Sequence, residues 1–231
     1  MADAIQVANS RLAKRASLSL LQHLRLIDVA RGATKAWNMK KHLLTSAILI
    51  ASSFSVQAQE PPQAVQELLI AYLDEEVRAW AQDQVITDAI RAQNEVTGEY
   101  SQERILTLDE AWRASVSYPD TEIIADIVQN DASNYLREQV TQSLGMISEV
   151  FVMDARGLNV AASQPTSDFW QGDEEKYTKT YMRGSAGLHM SDIEYDESTE
   201  SYLAQLSFTI NDPETGDPIG AITVGVDAGL F

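Results

Sequence analysis

One stretch of the sequence gathers side chains able to hold a small ligand. Residues 166–181 read TSDFWQGDEEKYTKTY, and Trp170, Glu174, Tyr177 and Tyr181 follow the spacing i, i+4, i+7 and i+11. That spacing places the four side chains on one face of a predicted helix. Aromatic rings beside carboxylates suit an ammonium group, through ion pairing and cation–π attraction. The same spacing is also typical of aromatic residues that fix a helix to a core, so both interpretations stay open.

Two further acids lie beside this predicted face. Asp173 adjoins the face, and Asp168 precedes the helix, where its other interpretation is an N-cap. A regular helix would point Lys176 and Lys179 away from Tyr177. A free carboxylate ligand would then lack an obvious cation. The pattern therefore predicts an amine or a zwitterion as ligand, in preference to a simple organic anion.

The sequence gives little support to other chemistry. It contains no cysteine, and His189 is the only histidine after residue 58, so thiolate sites and histidine metal clusters are excluded. It has no G-x-S-x-G elbow and no glycine-rich phosphate loop. The acidic run at 191–200 does not match the EF-hand spacing and predicts a solvent-exposed hairpin. We expect no enzyme activity, no metal and no cofactor, and keep a carboxylate-based hydrolase as the last alternative.

Charge divides the chain into two unequal parts. Residues 1–58 hold eight Lys and Arg against two Asp, a net charge of +6. Residues 59–231 hold 9 basic and 32 acidic residues, a net charge of −23. A domain this acidic repels phosphate backbones, which argues against nucleic acid as a partner.

The basic part contains a predicted targeting signal. Two lysines precede an apolar run over 43–56, and the sequence Val-Gln-Ala ends at Ala58. This order predicts a secretory signal peptide over 39–58, cleaved after Ala58. The apolar run is too short to span a bilayer comfortably.

Residues 1–38 precede the predicted signal peptide, an order that a secretory signal does not allow. A signal peptide starts at the first codon, and residues 1–38 have no apolar run of their own. We therefore expect translation to start at Met39 and the segment 1–38 to be an artefactual extension. The mature protein, 59–231, is then a single periplasmic or secreted domain.

Hydrophobic periodicity predicts helices first and strands afterwards. Leu69, Leu73, Val77 and Trp80 share one face of a long first helix that is expected to bend. Later segments alternate with period 2, which indicates antiparallel strands. Helices are predicted over 63–96, 101–114 and 121–144, and strands over 149–154, 158–163, 189–196, 202–210 and 219–227. The fold class is α+β, with helices on a five- to six-stranded antiparallel sheet.

This order resembles the single-domain, PAS-like Cache sensors of bacterial receptors and histidine kinases. The similarity is most specific at VFVMDARGLNVAAS (150–163), TSDFWQGDEEKY and PIGAITVGVD. It covers about 63–231. Since no membrane helix or signalling module follows the last strand, the sequence looks like a stand-alone secreted Cache protein.

The resemblance implies a function and a site. In Cache sensors the ligand lies against the sheet, beneath the insertion that follows the first hairpin, and here that insertion is the stretch quoted at the outset. The expected ligand-binding residues are Asp168, Trp170, Asp173, Tyr177 and Tyr181. The implied function is recognition of a small polar metabolite, with signalling through a membrane receptor or histidine kinase.

A second function remains open. The domain is instead a ligand-free interaction module if its long first helix pairs with a receptor helix or with a second copy, forming a homodimer. A filled interior beneath 166–181 favours this alternative.

Overall fold

The computed structural model describes residues 63–118, 120–197 and 200–231. The expected extension 1–38 and signal peptide 39–58 lie outside the described residues. No helix in the described ranges has both the length and the hydropathy needed to cross a membrane.

The helices come first, as the periodicity predicts. Their bounds are α1 Gln63–Tyr72, a π-helical turn Leu73–Val77, α2 Arg78–Ala81, α3 Gln84–Thr97, α4 Gln102–Ser115, α5 Glu122–Val128, α6 Asp131–Gln142 and the single turn α7 Glu175–Thr178. Short 3-10 turns cover Tyr181–Arg183 and Ala228–Leu230.

The first long helix is interrupted. Leu69, Leu73 and Val77 are fully buried, which confirms the predicted apolar face. The helix breaks before Gln84, because the Asp83 side chain accepts a hydrogen bond from the Val85 N–H at 2.9 Å and starts α3 as a new N-cap. The expected bend is confirmed, and the single helix over 63–96 is corrected to a chain of shorter ones.

The third predicted helix, 121–144, is also two helices. Asn130 Oδ1 accepts a hydrogen bond from the Ser133 N–H at 2.8 Å, which caps α6. The same amide group donates to Val160 O at 2.9 Å and so ties the break to the sheet. A capping side chain with a tertiary partner thus outweighs the helical periodicity. By contrast, Ser101 caps α4 as predicted.

One antiparallel sheet follows the helices. Its strands are β1 Ile147–Met153, β2 Asn159–Ala162, β3 Leu188–Met190, β4 Glu194–Asp196, β5 Ser201–Asn211 and β6 Pro218–Asp227. The order is β2-β1-β6-β5-β3, with β4 also paired to β5. The predicted strand over 189–196 is therefore two short strands. The α+β class and the six-stranded antiparallel sheet agree with the sequence prediction.

The two faces of the sheet differ in what they bury. On the first face, Ala204, Leu206, Phe208 and Ile210 of β5 pack against α1, α3 and α6 in the larger apolar cluster. The second face is covered by α4, α5 and the insertion, here defined as residues 164–187 between β2 and β3. Its apolar cluster is smaller and includes Trp112, Phe151, Phe169 and Tyr177.

Candidate functional site

The insertion is a loop rather than the predicted helix. Besides a short 3-10 turn at Tyr181–Arg183, only α7 is helical, and the backbone before it pairs with the first hairpin: Gln171 N–H donates to Gly157 O at 2.7 Å. Gly157 has a φ of +77°, and a Cβ on it would lie 2.7 Å from the Cα of Gly172. This close backbone approach requires glycine. The four residues predicted to share one helical face therefore do not do so.

Two of the predicted site residues fasten the insertion to the hairpin turn, residues 154–158. Trp170 Nε1 donates to Arg156 O at 2.9 Å. The Tyr177 hydroxyl donates to Ala155 O at 2.8 Å, and its side chain is 6% exposed. Burial raises the pKa of Tyr177 and keeps its hydroxyl a donor. Such contacts are typical of residues that fix an element to a core.

The other three predicted residues are spread over the insertion. Tyr181 stacks on Tyr177 with ring centroids 5.4 Å apart, and burial raises its pKa. Asp173 is exposed. Asp168 lies 3.8 Å from Arg113 and does not cap α7, whose N-cap is Glu174. The structure does not bring the five residues together as one wall, and their role in binding stays a prediction.

A buried acid that sequence reasoning missed holds the start of the insertion. Asp109 of α4 is 4% exposed and accepts hydrogen bonds from the N–H groups of Phe169 at 2.9 Å and Trp170 at 3.1 Å. Arg113 pairs with its second oxygen at 3.0 Å. The available signal was an acid inside the apolar stripe Ile105, Asp109, Trp112.

Asp154 holds the hairpin turn from within. Its side chain is fully buried. The donors are Gln93 Nε2 at 3.0 Å, Thr97 Oγ1 at 2.7 Å, and the N–H groups of Arg156 at 2.8 Å and Leu158 at 2.9 Å. Four donors compensate the buried charge, so this carboxylate is structural.

Lys176 does not follow the expectation that a regular helix would point it away from the face that carries Tyr177. Its Nζ lies 5.4 Å from the centre of the Phe151 ring and 2.7 Å from Glu174 Oε2. Only 16% of its side chain is exposed. Because α7 is a single turn, the helical geometry behind the prediction does not apply. A cation therefore stands over the second face of the sheet.

Beneath the insertion, a row of side chains crosses four strands at one register. His189, Ser207, Thr223 and Phe151 are successive partners on β3, β5, β6 and β1, and we call them the central row. The hydroxyls of Ser207 and Thr223 are 2.9 Å apart and both residues are fully buried. Polar side chains thus replace apolar ones at the middle of this face.

His189 lies at the end of the central row under α7. Its Nε2 is 3.6 Å from Glu175 Oε2, and 11% of its side chain is exposed. Burial lowers the pKa of His189, an effect that the neighbouring Lys179 reinforces and Glu175 opposes. The imidazole is therefore neutral at pH 7 and able both to donate and to accept a hydrogen bond.

An open cleft continues the same sheet face toward β4. It has a volume of about 610 Å³, and Glu149, Gln205 and Gly225 are among its lining residues. Gln205 Nε2 donates to Glu149 Oε1 at 3.0 Å. We call it the acidic cleft because it is also lined by Asp192, Glu194, Asp196 and Glu197 and by no Lys or Arg.

The described ranges contain no candidate metal site. There, no group of three His, Asp or Glu side chains is placed to hold a metal ion. In the described ranges, the polar groups of the central row, the acidic cleft and Lys176 are hydroxyls, carboxylates, an amide, an imidazole and an ammonium group.

Comparisons with known proteins identify no family. No family model matches the sequence, and no curated protein matches it. Solved structures match at low similarity. The sensory domain of the Campylobacter jejuni chemoreceptor Tlp3 with isoleucine bound is 14% identical, with a TM-score of 0.33, over 72% of this chain and 64% of that one.

Two Pseudomonas domains match at a similar level. The ligand-binding domain of the P. aeruginosa PAO1 amino-acid chemoreceptor PctC, in complex with GABA, is 14% identical over 60% of this chain and 55% of that one, with a TM-score of 0.33. That of the P. fluorescens chemoreceptor CtaA with L-serine is 17% identical over 70% and 60%, with a TM-score of 0.28. The chain spans less than two thirds of the length of these domains, and its function must be argued from its own residues.

Proposed function

We propose that this protein is an extracytoplasmic sensor domain of the Cache type that binds a small zwitterionic metabolite on the second sheet face and signals through a partner protein. The observation that carries the proposal is the buried polar centre of that face. Ser207 and Thr223 are fully buried, beside a partly covered ammonium group on Lys176. The two hydroxyls pair with each other at 2.9 Å, which offsets the free-energy cost of burying them and keeps polar groups at the centre of an otherwise apolar face.

The two ends of this face have opposite charge preferences. Lys176, His189 and the two hydroxyls supply donors for a carboxylate. Glu149, at the acidic cleft, supplies an acceptor for an ammonium group. Ser207 and Gln205 are two residues apart on β5, so the two ends are separated by about 7 Å. A zwitterion whose charges lie several ångströms apart meets both ends.

This proposal keeps the zwitterion predicted from the sequence but changes its orientation and its site. The sequence argument assumed that the insertion offered no cation, and the position of Lys176 removes that assumption. Acids of the insertion, above all the exposed Asp173, are no longer needed to receive the ammonium group, since Gln205 of the acidic cleft is only two residues from Ser207 of the central row. A plain amine then uses only half of the site.

Signalling requires two states of the domain. Thr209 Oγ1 donates to Gly184 O at 2.9 Å, so the last part of the insertion rests on the same strand that carries Ser207. A ligand that binds between strand and insertion would favour one position of the insertion over another. A membrane receptor or histidine kinase that contacts the insertion or α1 would then sense the change.

The test uses zwitterions that differ in charge separation. Glycine, β-alanine, γ-aminobutyrate and 5-aminopentanoate are compared by calorimetry and thermal shift with butylamine and butyrate. We expect affinity to rise with charge separation and both single-charge compounds to bind weakly. A ligand at 100 times its dissociation constant stabilises the fold by about 2.7 kcal/mol.

Matched variants locate the binding groups. Lys176→Met and Glu149→Gln are each expected to lower zwitterion affinity at least about tenfold, since each removes a charge-assisted hydrogen bond. Lys179→Met is the control, because that lysine is 46% exposed and pairs with Glu175. No binding by any compound, or equal losses in all three variants, would refute the proposal.

The ligand-free interaction module remains a second candidate because of the packing beneath 166–181. Trp170 and Tyr177 are hydrogen-bonded to the hairpin turn and pack beneath the insertion. An interior filled in this way favours the alternative without a ligand. Leu68 and Ile70 of α1 are 49% and 37% exposed and offer an apolar contact. Light scattering over a range of concentrations tests for a homodimer that Leu68→Glu abolishes.

A further inference from the structure

A second cleft lies on the helical side of the sheet edge, away from the central row. It is bounded by α3, α4, α5, α6 and β2, has a volume of about 780 Å³, and is here called the helical cleft. Its volume falls within the range of small-molecule sites. The acidic cleft lies instead along β4 and β5, at the other edge of the sheet.

The walls of the helical cleft are mainly apolar. The apolar lining residues are Val85, Ala89, Ala92, Val96, Leu108, Ile123, Ile127, Ala132, Leu158, Val160 and Phe169. Val96 is 60% exposed, and burying such a side chain against a ligand is favourable.

Three of the four uncharged polar side chains that line the helical cleft, those of Gln93, Thr97 and Asn130, are already engaged, and Tyr100 is the fourth. The Gln93 amide nitrogen bonds to Asp154 Oδ2 at 3.0 Å and to Asn159 O at 3.1 Å. Thr97 Oγ1 lies 2.7 Å from the same carboxylate. The Asn130 side chain bonds to Val160 O and to the Ser133 N–H. A ligand that enters gains few polar partners, so the inserted part must be apolar.

The outer lining is negatively charged. Asp126 and Asp131 line the cleft and are exposed. In the part of the chain that the structure describes, neither forms an ion pair with a Lys or Arg. A third acid, Asp88, also lines the cleft but pairs with Arg91 at 3.1 Å. Among the residues that the structure describes, no lysine or arginine lines the cleft.

We propose that the helical cleft binds an organic cation with an apolar body. The body fills the space between α3 and α5, and the ammonium group stays at the outer edge beside Asp126 and Asp131. Carboxylates there attract a cation and repel an organic anion of the same shape. This site is separate from the zwitterion site and does not depend on the sensor function.

The experiment compares three compounds with one body and different charge. 4-Phenylbutylamine, 4-phenylbutan-1-ol and 4-phenylbutyrate are titrated into the purified protein by calorimetry and by ligand-observed NMR. We expect the amine to bind best and the carboxylate worst, with an advantage of the amine that falls as salt is added.

Four variants test the location. Ala92→Trp and, at a second position, Val96→Trp fill the cleft from exposed positions of α3, and each is expected to abolish amine binding while the far-UV circular dichroism and the urea midpoint stay native. Asp126→Asn with Asp131→Asn should weaken the amine about fivefold and leave the alcohol unchanged, since exposed ion pairs are individually weak. Glu122→Gln with Glu138→Gln is the control, with the same charge change on the same helices outside the cleft.

Several outcomes would overturn this proposal. Equal affinity for the amine and the alcohol would remove the role of charge, and unchanged binding in a folded tryptophan variant would move the site elsewhere. A concentration-dependent dimer that either tryptophan variant abolishes would assign the cleft to a second copy of the chain. Loss of amine binding in Lys176→Met would assign the amine to the zwitterion site instead.

Discussion

The two faces of β5 and β6 bury side chains of different polarity, although the same strands build both. On the first face Leu206 and Phe208 are fully buried in a continuous apolar cluster with the helices. On the second face Ser207 and Thr223 are equally buried but polar. Equal burial with opposite polarity means that burial alone would not distinguish an apolar core from the proposed binding surface. The chemistry of the buried groups has to be considered with it.

The largest expected effect breaks the first face. Leu206→Ala removes a fully buried side chain and leaves a cavity between sheet and helices. We expect the free energy of unfolding to fall by about 2–5 kcal/mol, as for other buried leucines. Urea denaturation measures it. A loss below about 1 kcal/mol would show that this face is loosely packed.

A smaller effect is expected at the edge of the second face. Trp170→Ala removes a partly buried ring and its hydrogen bond to Arg156 O. Since partial burial reduces the 3–5 kcal/mol typical of buried tryptophan, we expect a loss of about 2 kcal/mol. If Trp170 fastens the insertion, zwitterion affinity in the folded fraction stays within about threefold. Unchanged stability with lost binding would instead identify Trp170 as a residue that lines the binding pocket.

At the centre of the second face, stability and binding are expected to respond differently to the same substitution. Thr223→Val keeps the shape of the side chain and removes the hydroxyl that bonds to Ser207 at 2.9 Å. The change in unfolding free energy should be about 1 kcal/mol or less. The loss of binding free energy for the zwitterion, measured by calorimetry, should be larger than this loss of unfolding free energy. Full affinity in Thr223→Val would mean that the central row does not contact the ligand.

The smallest effect is a dependence of stability on pH. Burial lowers the pKa of His189 below 6.5 in the folded protein. Between that lowered value and 6.5 the unfolded chain binds more protons, so the unfolding free energy rises with pH through this window and levels off above it. His189→Gln should remove this contribution. Urea titrations at closely spaced pH values compare the two proteins, and identical pH slopes would contradict the buried position of the imidazole.

The errors of sequence interpretation share one cause. The periodicity of 63–96 and of 121–144 is correct, yet both helices break at a capping residue, Asp83 or Asn130. The Asn130 cap also contacts the sheet, a tertiary contact that no local pattern reveals. In the insertion, helical spacing suggested one face for four residues, but the backbone hydrogen bond from Gln171 to Gly157 imposes a loop. In each case a hydrogen bond that periodicity does not encode interrupts the helix: the bond of Asp83 is local, whereas those of Asn130 and Gln171 reach residues distant in sequence.

The sequence by itself determined the order of helices and strands, the apolar face of α1, the alternation of β5 and the acidity of the domain. These follow from local periodicity and composition, which need no knowledge of neighbours. Only the tertiary structure decided which side chains share a site. Lys176 meets the sheet, Asp109 holds the insertion, and Ser207 meets Thr223 because strand register and loop path place them together. Register and loop path arise from packing across the whole domain, so they leave no signature in a single segment.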